Sequence, residues 1–95
     1  MIITRKLERM PYAKAKVLIE DNTSAMMLKS YETIVITVTP MGWLTVRGLY
    51  SATTRKHINA FMREYTVADY QTAKWLFENG EQFNINTGEI RKIEK

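Results

Sequence analysis

The chain has 95 residues, which is enough for one small domain and too few for two. It contains no cysteine, which excludes disulfides and thiolate metal sites, and its 45% hydrophobic content is typical of a globular protein rather than a disordered one. The net charge of +4 is carried entirely by residues 1–16, because residues 17–95 hold as many Lys and Arg as Asp and Glu. Such an asymmetry either steers an acidic partner or simply keeps the domain soluble.

Four segments in the first half of the chain predict strands, by their β-branched content or their alternation: residues 15–20, 25–31, 32–39 and 43–48. The clearest is the third, in which Ile34, Ile36 and Val38 are expected to point together toward a buried face. The breaker sequence at residues 40–42 separates it from the fourth, so these two strands predict a β-hairpin.

After Gly48 the spacing of the apolar residues changes to that of a helix. Four apolar side chains form one stripe at helical spacing: Ile58, Phe61, Met62 and Tyr65. The other side is polar and basic, with Arg55, Lys56, Asn59 and Arg63. Either Ser51 or Thr53 is the predicted N-cap, because a hydroxyl there accepts a hydrogen bond from an unpaired backbone N–H. The pattern predicts an amphipathic helix from about Thr54 onward.

A second helix is predicted to follow at once, with Thr66 as its N-cap and Asp69 three residues later, as in a capping box. Gly80 is the expected C-cap. Residues 82–93 alternate on both sides of Asn-Thr-Gly and predict a C-terminal β-hairpin. The order of elements predicts a single α+β domain over all 95 residues. It consists of an antiparallel sheet of about four strands with two consecutive helices packed on one face, and residues 1–14 form either a basic arm or a first strand.

The residues offer little for catalysis. No serine stands in a G-x-S-x-G turn, and the chain has no cysteine nucleophile. His57, the only histidine, would be a general base, a phosphate contact or a boundary side chain with one edge packed and one wet. The last interpretation is favoured, because no carboxylate is placed beside it by spacing. The acids match no metal-ligand spacing and the glycines form no phosphate loop, so we expect no enzyme activity, no metal and no cofactor.

Binding to another macromolecule is the function that the residues favour. Lys and Arg contact phosphates, and aromatic side chains stack on the bases of single strands. The candidate partner-binding residues are Arg5, Lys6, Arg9, Lys14, Lys16, Arg47, Tyr50, Arg55, Lys56, Asn59 and Arg63. Trp43 and Tyr50 are more often found at the edge of the core in so small a domain, and the basic side of the helix is compatible with an ordinary solvated face.

The middle third of the chain carries the pattern Ser-Tyr-x-Thr-Ile, followed by Tyr-Ser-x-Thr-Thr-x-Lys-His and a helix with Phe. Its residues are Ser30, Tyr31, Thr33, Ile34, Tyr50, Ser51, Thr53, Thr54, Lys56, His57 and Phe61. This pattern resembles small uncharacterised proteins of phages and mobile elements in Gram-positive bacteria. Physically it describes a hairpin leading into a capped helix, so it is compatible with a fold signature as well as with a site.

The resemblance implies a non-enzymatic interaction protein of phage or plasmid type, such as an anti-CRISPR inhibitor of Cas9. Its partner would be a host protein or ribonucleoprotein in the bacterial cytoplasm. A basic chain does not suit imitation of DNA, so it would contact guide RNA or an acidic patch of the effector. The alternative is a small basic nucleic-acid-binding accessory protein. We expect no membrane span, because no apolar run approaches about 20 residues, and an exposed hairpin edge would allow a homodimer.

Overall fold

The alternating segments of the sequence form strands, and the segment with helical period forms the first of two helices. The computed structural model describes residues 1–10 and 14–93. The strands are β1 (Ile2–Arg5), β2 (Ala15–Glu20), β3 (Met26–Ser30), β4 (Thr33–Val38), β5 (Trp43–Val46), β6 (Glu81–Asn84) and β7 (Ile90–Lys92). The helices are α1 (Ala52–Tyr65) and α2 (Tyr70–Asn79). The predicted α+β class, with an antiparallel sheet and two consecutive helices, is confirmed.

The sheet has seven strands, so the prediction of about four is wrong. The strands lie in the sheet in their sequence order, β1 to β7, and every neighbouring pair is antiparallel. Two additions account for the difference. Residues 2–5 pair with β2 as an edge strand, and the predicted C-terminal hairpin extends the same sheet by pairing β6 with β5, where Leu44 faces Phe83.

The cross-strand register places two apolar rows on the side of the sheet that the helices cover. One row is Val17, Leu28, Ile36 and Val46, and the next is Met26, Val38, Leu44 and Phe83. The helices add Ile58, Phe61, Met62, Ala73 and Leu76 to the same buried core. Removal of this surface from water, at about 25 cal/mol per Å², is the main favourable term in folding.

A β-bulge interrupts the alternation of β4. Leu28 pairs with Ile36 and Lys29 pairs with Ile34, so Val35 is an extra residue between them. Val35 and Ile36 are both fully buried, whereas Ile34 is only half-buried. The prediction that Ile34 shares the buried face of Ile36 is therefore wrong, because the bulge turns Ile34 to the other side of the sheet.

Hydroxyl side chains close both ends of α1. Ser51 is the N-cap, since its Oγ accepts a hydrogen bond from Thr54 N at 3.2 Å, and Thr53 lies inside the helix. At the other end Thr66 Oγ1 donates to the carbonyl of Met62 at 2.6 Å. Thr66 therefore ends α1 instead of starting the next helix, which corrects the predicted capping box.

The N-cap of α2 is Asp69. Its carboxylate accepts hydrogen bonds from the backbone amides of the second and third helical residues, at 3.0 and 3.4 Å. The helix ends as predicted at Gly80, which is in the left-handed conformation with φ of 62°. The cap of α2 is thus set by a carboxylate at the positive end of the helix dipole.

The segment that follows β1 crosses the molecule and packs against it. Leu7 is fully buried in the core, and the backbone amide of Glu8 donates to Glu64 Oε1 on α1 at 2.8 Å. The basic N-terminal segment is therefore an edge strand followed by an anchored crossing, and residues 11–13 lie outside the described part of the chain.

Candidate binding surfaces

The only histidine is part of the core. His57 is 1% exposed, and its Nδ1 forms a 2.8 Å hydrogen bond with Ser30 Oγ, which is itself 3.2 Å from Thr54 Oγ1. The ring of Tyr31 lies against the imidazole, with 5.8 Å between ring centroids. Burial lowers the pKa of His57, so the ring is neutral at neutral pH. The expected boundary position with one wet edge is wrong, because the hydroxyl of Ser30 provides a buried partner.

Among the described residues no group of three or more His, Cys, Asp or Glu side chains lies close enough together to hold a metal ion. No helix in that part of the chain is long and apolar enough to cross a membrane.

The exposed side of α1 and the crossing N-terminal segment together form a basic surface. We call Arg9, Arg55, Lys56 and Arg63 the helix-side basic cluster; all four are exposed. Two shallow cavities of about 450 and 410 Å³ adjoin at Arg9. The first is lined by Arg63 and the loop between the helices. The second carries Arg55 and Lys56 on its rim, with Met10, Ala60 and Tyr70 as its apolar lining.

The charges of the helix-side basic cluster are not neutralised by the described part of the protein. The ion pairs among the described residues involve cations outside this cluster: the N-terminal ammonium with Glu20 and Asp21, Lys29 with Glu32, and Lys92 with Glu81. Asp69 lines the first cavity together with Arg9 and Arg63; its Oδ1 caps α2, and no described cation lies within 4.0 Å of its carboxylate. These cations remain available to an anionic partner.

Asn59 has a structural role in addition to its place beside the cluster. Its Oδ1 accepts a hydrogen bond from the backbone amide of Tyr70 at 3.0 Å, which ties α1 to the start of α2. The hydroxyl of Tyr70 is buried and has no hydrogen-bond partner among the described residues. Asn59 therefore helps to position the second cavity through its Oδ1, and its Nδ2 has no hydrogen-bond partner among the described residues.

A second set of cations lies on the side of the sheet that no helix covers. We call Lys16, Lys29, Arg47 and Arg91 the open-face cations. Lys16 and Lys29 are direct cross-strand neighbours in β2 and β3. Sequence reasoning found Lys16 and Arg47 but missed Lys29 and Arg91, because membership of this face depends on strand register. The β5–β6 pairing, which joins the predicted C-terminal hairpin to the sheet and brings Arg91 to this face, could not be read from the alternation alone.

The remaining predicted residues lie at the edges of the sheet. Arg5 ends β1, and Lys6 follows it as an exposed side chain. Lys14 shares a cavity of about 450 Å³ with Tyr31 near the Lys16–Lys29 pair. The eleven predicted contact residues thus do not form one surface, because the structure divides them between the helix side, the open face and the edges.

Two aromatic side chains near these residues have different environments. Tyr50 is 62% exposed, and its ring lies over Gly48, where an added Cβ would fall 2.4 Å from the ring. Tyr65 is half-buried, and burial, reinforced by the Glu64 carboxylate, raises the pKa of Tyr65 to about 12. Tyr50 is therefore accessible to a partner, whereas Tyr65 belongs to the edge of the core.

A family model described as a family of unknown function (DUF8033) matches residues 4–78. The match extends from β1 into the last turn of α2, so it includes the helix-side basic cluster, Trp43 and Arg47. No curated protein and no solved structure matches the chain.

Proposed function

We propose that this chain, which belongs to the DUF8033 family of unknown function, is a non-enzymatic interaction protein that binds a host ribonucleoprotein through the helix-side basic cluster. The observation that carries this proposal is the absence of a carboxylate partner for Arg9, Arg55, Lys56 and Arg63 among the described residues. Exposed cations around an open cavity raise the local concentration of an anionic partner and speed association.

The lining of the second cavity adds to this support. Met10, Ala60 and Tyr70 give it apolar walls, while Arg55 and Lys56 carry charge at its rim. Such a combination suits an apolar side chain or a base edge next to an acidic or phosphate group, which a complex of protein and RNA offers together. A ribonucleoprotein is therefore proposed as the partner because the cavity combines apolar and cationic groups, and not because of charge alone.

The environment of His57 supports a role without catalysis. Its hydrogen-bond partner is the Ser30 hydroxyl, and both residues are buried, so neither is presented to a substrate. A general base requires access to the proton that it removes. The proposal therefore assigns His57 to the core.

The resemblance to small phage proteins suggests the biological context. In this proposal the chain acts in the cytoplasm of a host bacterium as an inhibitor of a defence nuclease such as CRISPR–Cas9. Its basic surface suits the guide RNA or an acidic face of the nuclease, and not imitation of DNA. Inhibition would be stoichiometric, because it depends on occupancy.

Binding to a reconstituted Cas9–guide RNA complex, measured by calorimetry together with DNA cleavage, tests the proposal. Arg55→Glu with Arg63→Glu is expected to weaken binding by about tenfold or more. Lys74→Glu with Lys92→Glu changes the charge equally outside the cluster and is expected to change binding by less than about twofold. Absence of binding, together with affinity capture from a Gram-positive lysate that recovers no ribonucleoprotein, would reject it. Equal loss in both variants would also reject it.

A nucleic-acid-binding accessory protein is the second candidate, favoured by the +4 excess within residues 1–16. The test is binding to short DNA and RNA between about 50 and about 200 mM salt. This function requires affinity that falls steeply with salt and collapses when Arg5, Lys6 and Arg9 are changed to Ala. Weak binding that is indifferent to these substitutions would exclude it.

A further inference from the structure

Two sets of hydrogen-bonded polar side chains lie beside each other on the uncovered side of the sheet. Thr37 and Thr45 are direct neighbours in β4 and β5. Gln82 Nε2 donates to Thr45 Oγ1 at 2.7 Å, and Arg91 Nε donates to Gln82 Oε1 at 2.9 Å. In the second set Arg47 Nε donates to Thr37 Oγ1 at 3.2 Å. Each set therefore holds one guanidinium.

Both guanidiniums are oriented by neutral groups. Each uses its Nε for these bonds, and the described residues provide neither a carboxylate within 4.0 Å nor a hydrogen-bond partner for the terminal nitrogens of Arg47 or Arg91. A guanidinium that is held in place but keeps its outer N–H groups free is prepared for a bidentate contact with phosphate.

An aromatic platform lies beside Arg91. Its guanidinium carbon is 3.9 Å from the ring centroid of Trp43, which is half-buried on the same side of the sheet. Stacked planes of this kind, whether indole or guanidinium, are the groups on which unpaired bases stack.

The charge of this face is positive along the sheet. Lys16 and Lys29 stand opposite each other, an arrangement that costs stability unless an anion lies nearby. Lys29 has only the exposed Glu32 carboxylate, at 3.2 Å. Glu20, the acidic strand residue on this side of β2, lines the same cavity as Arg47, and its Oε1 accepts from the N-terminal ammonium and from the amide of Asn22.

We propose that the open sheet face binds a single-stranded nucleic acid, with phosphates at the open-face cations and bases stacked at the Trp43–Arg91 platform. A duplex keeps its bases stacked on one another and cannot use the platform. An acidic peptide would satisfy the cations, but it would not use an aromatic plane next to hydroxyl and amide groups. This site is separate from the helix-side basic cluster, and the inference does not depend on that cluster's partner.

Tryptophan fluorescence gives a direct probe of this face. The chain has two tryptophans, so Trp75→Phe leaves Trp43 as the only one. In this background, single-stranded RNA and DNA of mixed sequence and about 15 nucleotides are titrated and are expected to quench the emission of Trp43 to saturation. Either strand supports the proposal, and the tighter of the two identifies the class of ligand.

Paired arginine variants then locate the site. Arg47→Ala with Arg91→Ala is expected to weaken binding by about tenfold or more and to reduce the slope of log affinity against log salt by about 1.4, or roughly 0.7 per lost phosphate contact. Lys74→Ala with Lys92→Ala removes the same charge outside both the open-face cations and the helix-side basic cluster, and it is expected to leave affinity within about twofold. If the alanine pair fails to fold by circular dichroism, Arg47→Gln with Arg91→Gln takes its place.

Three results would overturn the site. These are an unchanged Trp43 emission, equal loss of affinity in both pairs of variants, and equal affinity for a duplex or for poly-L-glutamate. None of them affects the helix-side proposal, because that proposal depends on Arg55 and Arg63 and on a different ligand. Conversely, loss of ribonucleoprotein binding with Arg55→Glu leaves the open-face result unchanged.

Discussion

The buried group around His57 brings together residues of the Ser-Tyr-x-Thr-Ile and Thr-Thr-x-Lys-His patterns. Ser30 from β3 meets Thr54 and His57 from α1, and Tyr31 lies against the imidazole. A buried imidazole is tolerated when it is neutral and hydrogen-bonded. The residues of these two patterns therefore join a strand to a helix, which supports their interpretation as a fold signature. Their separation in sequence hid this contact from local patterns.

The stability of the protein should depend on pH through His57. Burial lowers the pKa of His57 below its ordinary value of 6.5, so in the window between the two pKa values the unfolded chain binds more protons than the folded one. The free energy of unfolding therefore has its full value above about pH 6.5, and it falls as the pH decreases toward the lowered pKa of His57. Urea unfolding of wild type and of His57→Gln between about pH 7.5 and about pH 5 measures this effect.

The slope of the free energy of unfolding against pH is compared between wild type and His57→Gln. The absolute stabilities are not compared, because the substitution also changes packing. The variant should lose the part of the decline that wild type shows near pH 6. Identical pH profiles would mean that the imidazole does not titrate differently in the folded state.

At the scale of elements, the local sequence patterns predicted the correct types of secondary structure but not always the residue at which an element begins. Thr66 was predicted to be the N-cap of α2, with Asp69 three residues later, but Asp69 is the cap because Thr66 bonds to the carbonyl of Met62 at the end of α1. In the same way the bulge at Val35 depends on pairing with β3 and not on the residues of β4 alone. Gly80 was predictable because only a residue that tolerates positive φ ends a helix in this manner.

Asp69 is expected to be the residue that stabilises the start of α2. Asp69→Ala should lower the free energy of unfolding by about 1 kcal/mol, because two backbone amides lose their acceptor. Asp69→Asn keeps a cap oxygen and should cost clearly less. Chemical denaturation of the three proteins provides the measurement, and equal stability of the Ala and Asn variants would contradict the cap assignment.

For the whole molecule, the strands of the first half and both helices were predictable from periodicity. The position of residues 2–5 in the sheet was not, because four exposed residues carry no burial pattern. The open face was also hidden: Lys29 and Arg91 lie far apart in sequence and come to one face only through the register of the strands between them. Register is fixed by packing of the core, which no local segment contains.

The N-terminal segment is expected to contribute to global stability through Leu7. Leu7→Ala should lower the free energy of unfolding by about 2–5 kcal/mol, because the side chain is fully buried in the core. Its exposed neighbour provides the control, and Lys6→Ala should change stability by no more than about 0.5 kcal/mol. Equal effects of the two substitutions in urea unfolding would show that the segment is not anchored.

Because the strands lie in the sheet in their sequence order, the order of synthesis determines which strands can pair first. As the chain is synthesised, β1 to β5 emerge as adjacent hairpins that can pair at once, but β6 follows only after α1 and α2. Until the helices arrive, the apolar row through Val17, Leu28 and Ile36 faces water and β5 offers an unpaired edge. A nascent chain of which only the residues up to about Tyr50 have emerged from the ribosome would therefore bind chaperones and pair readily with other nascent chains.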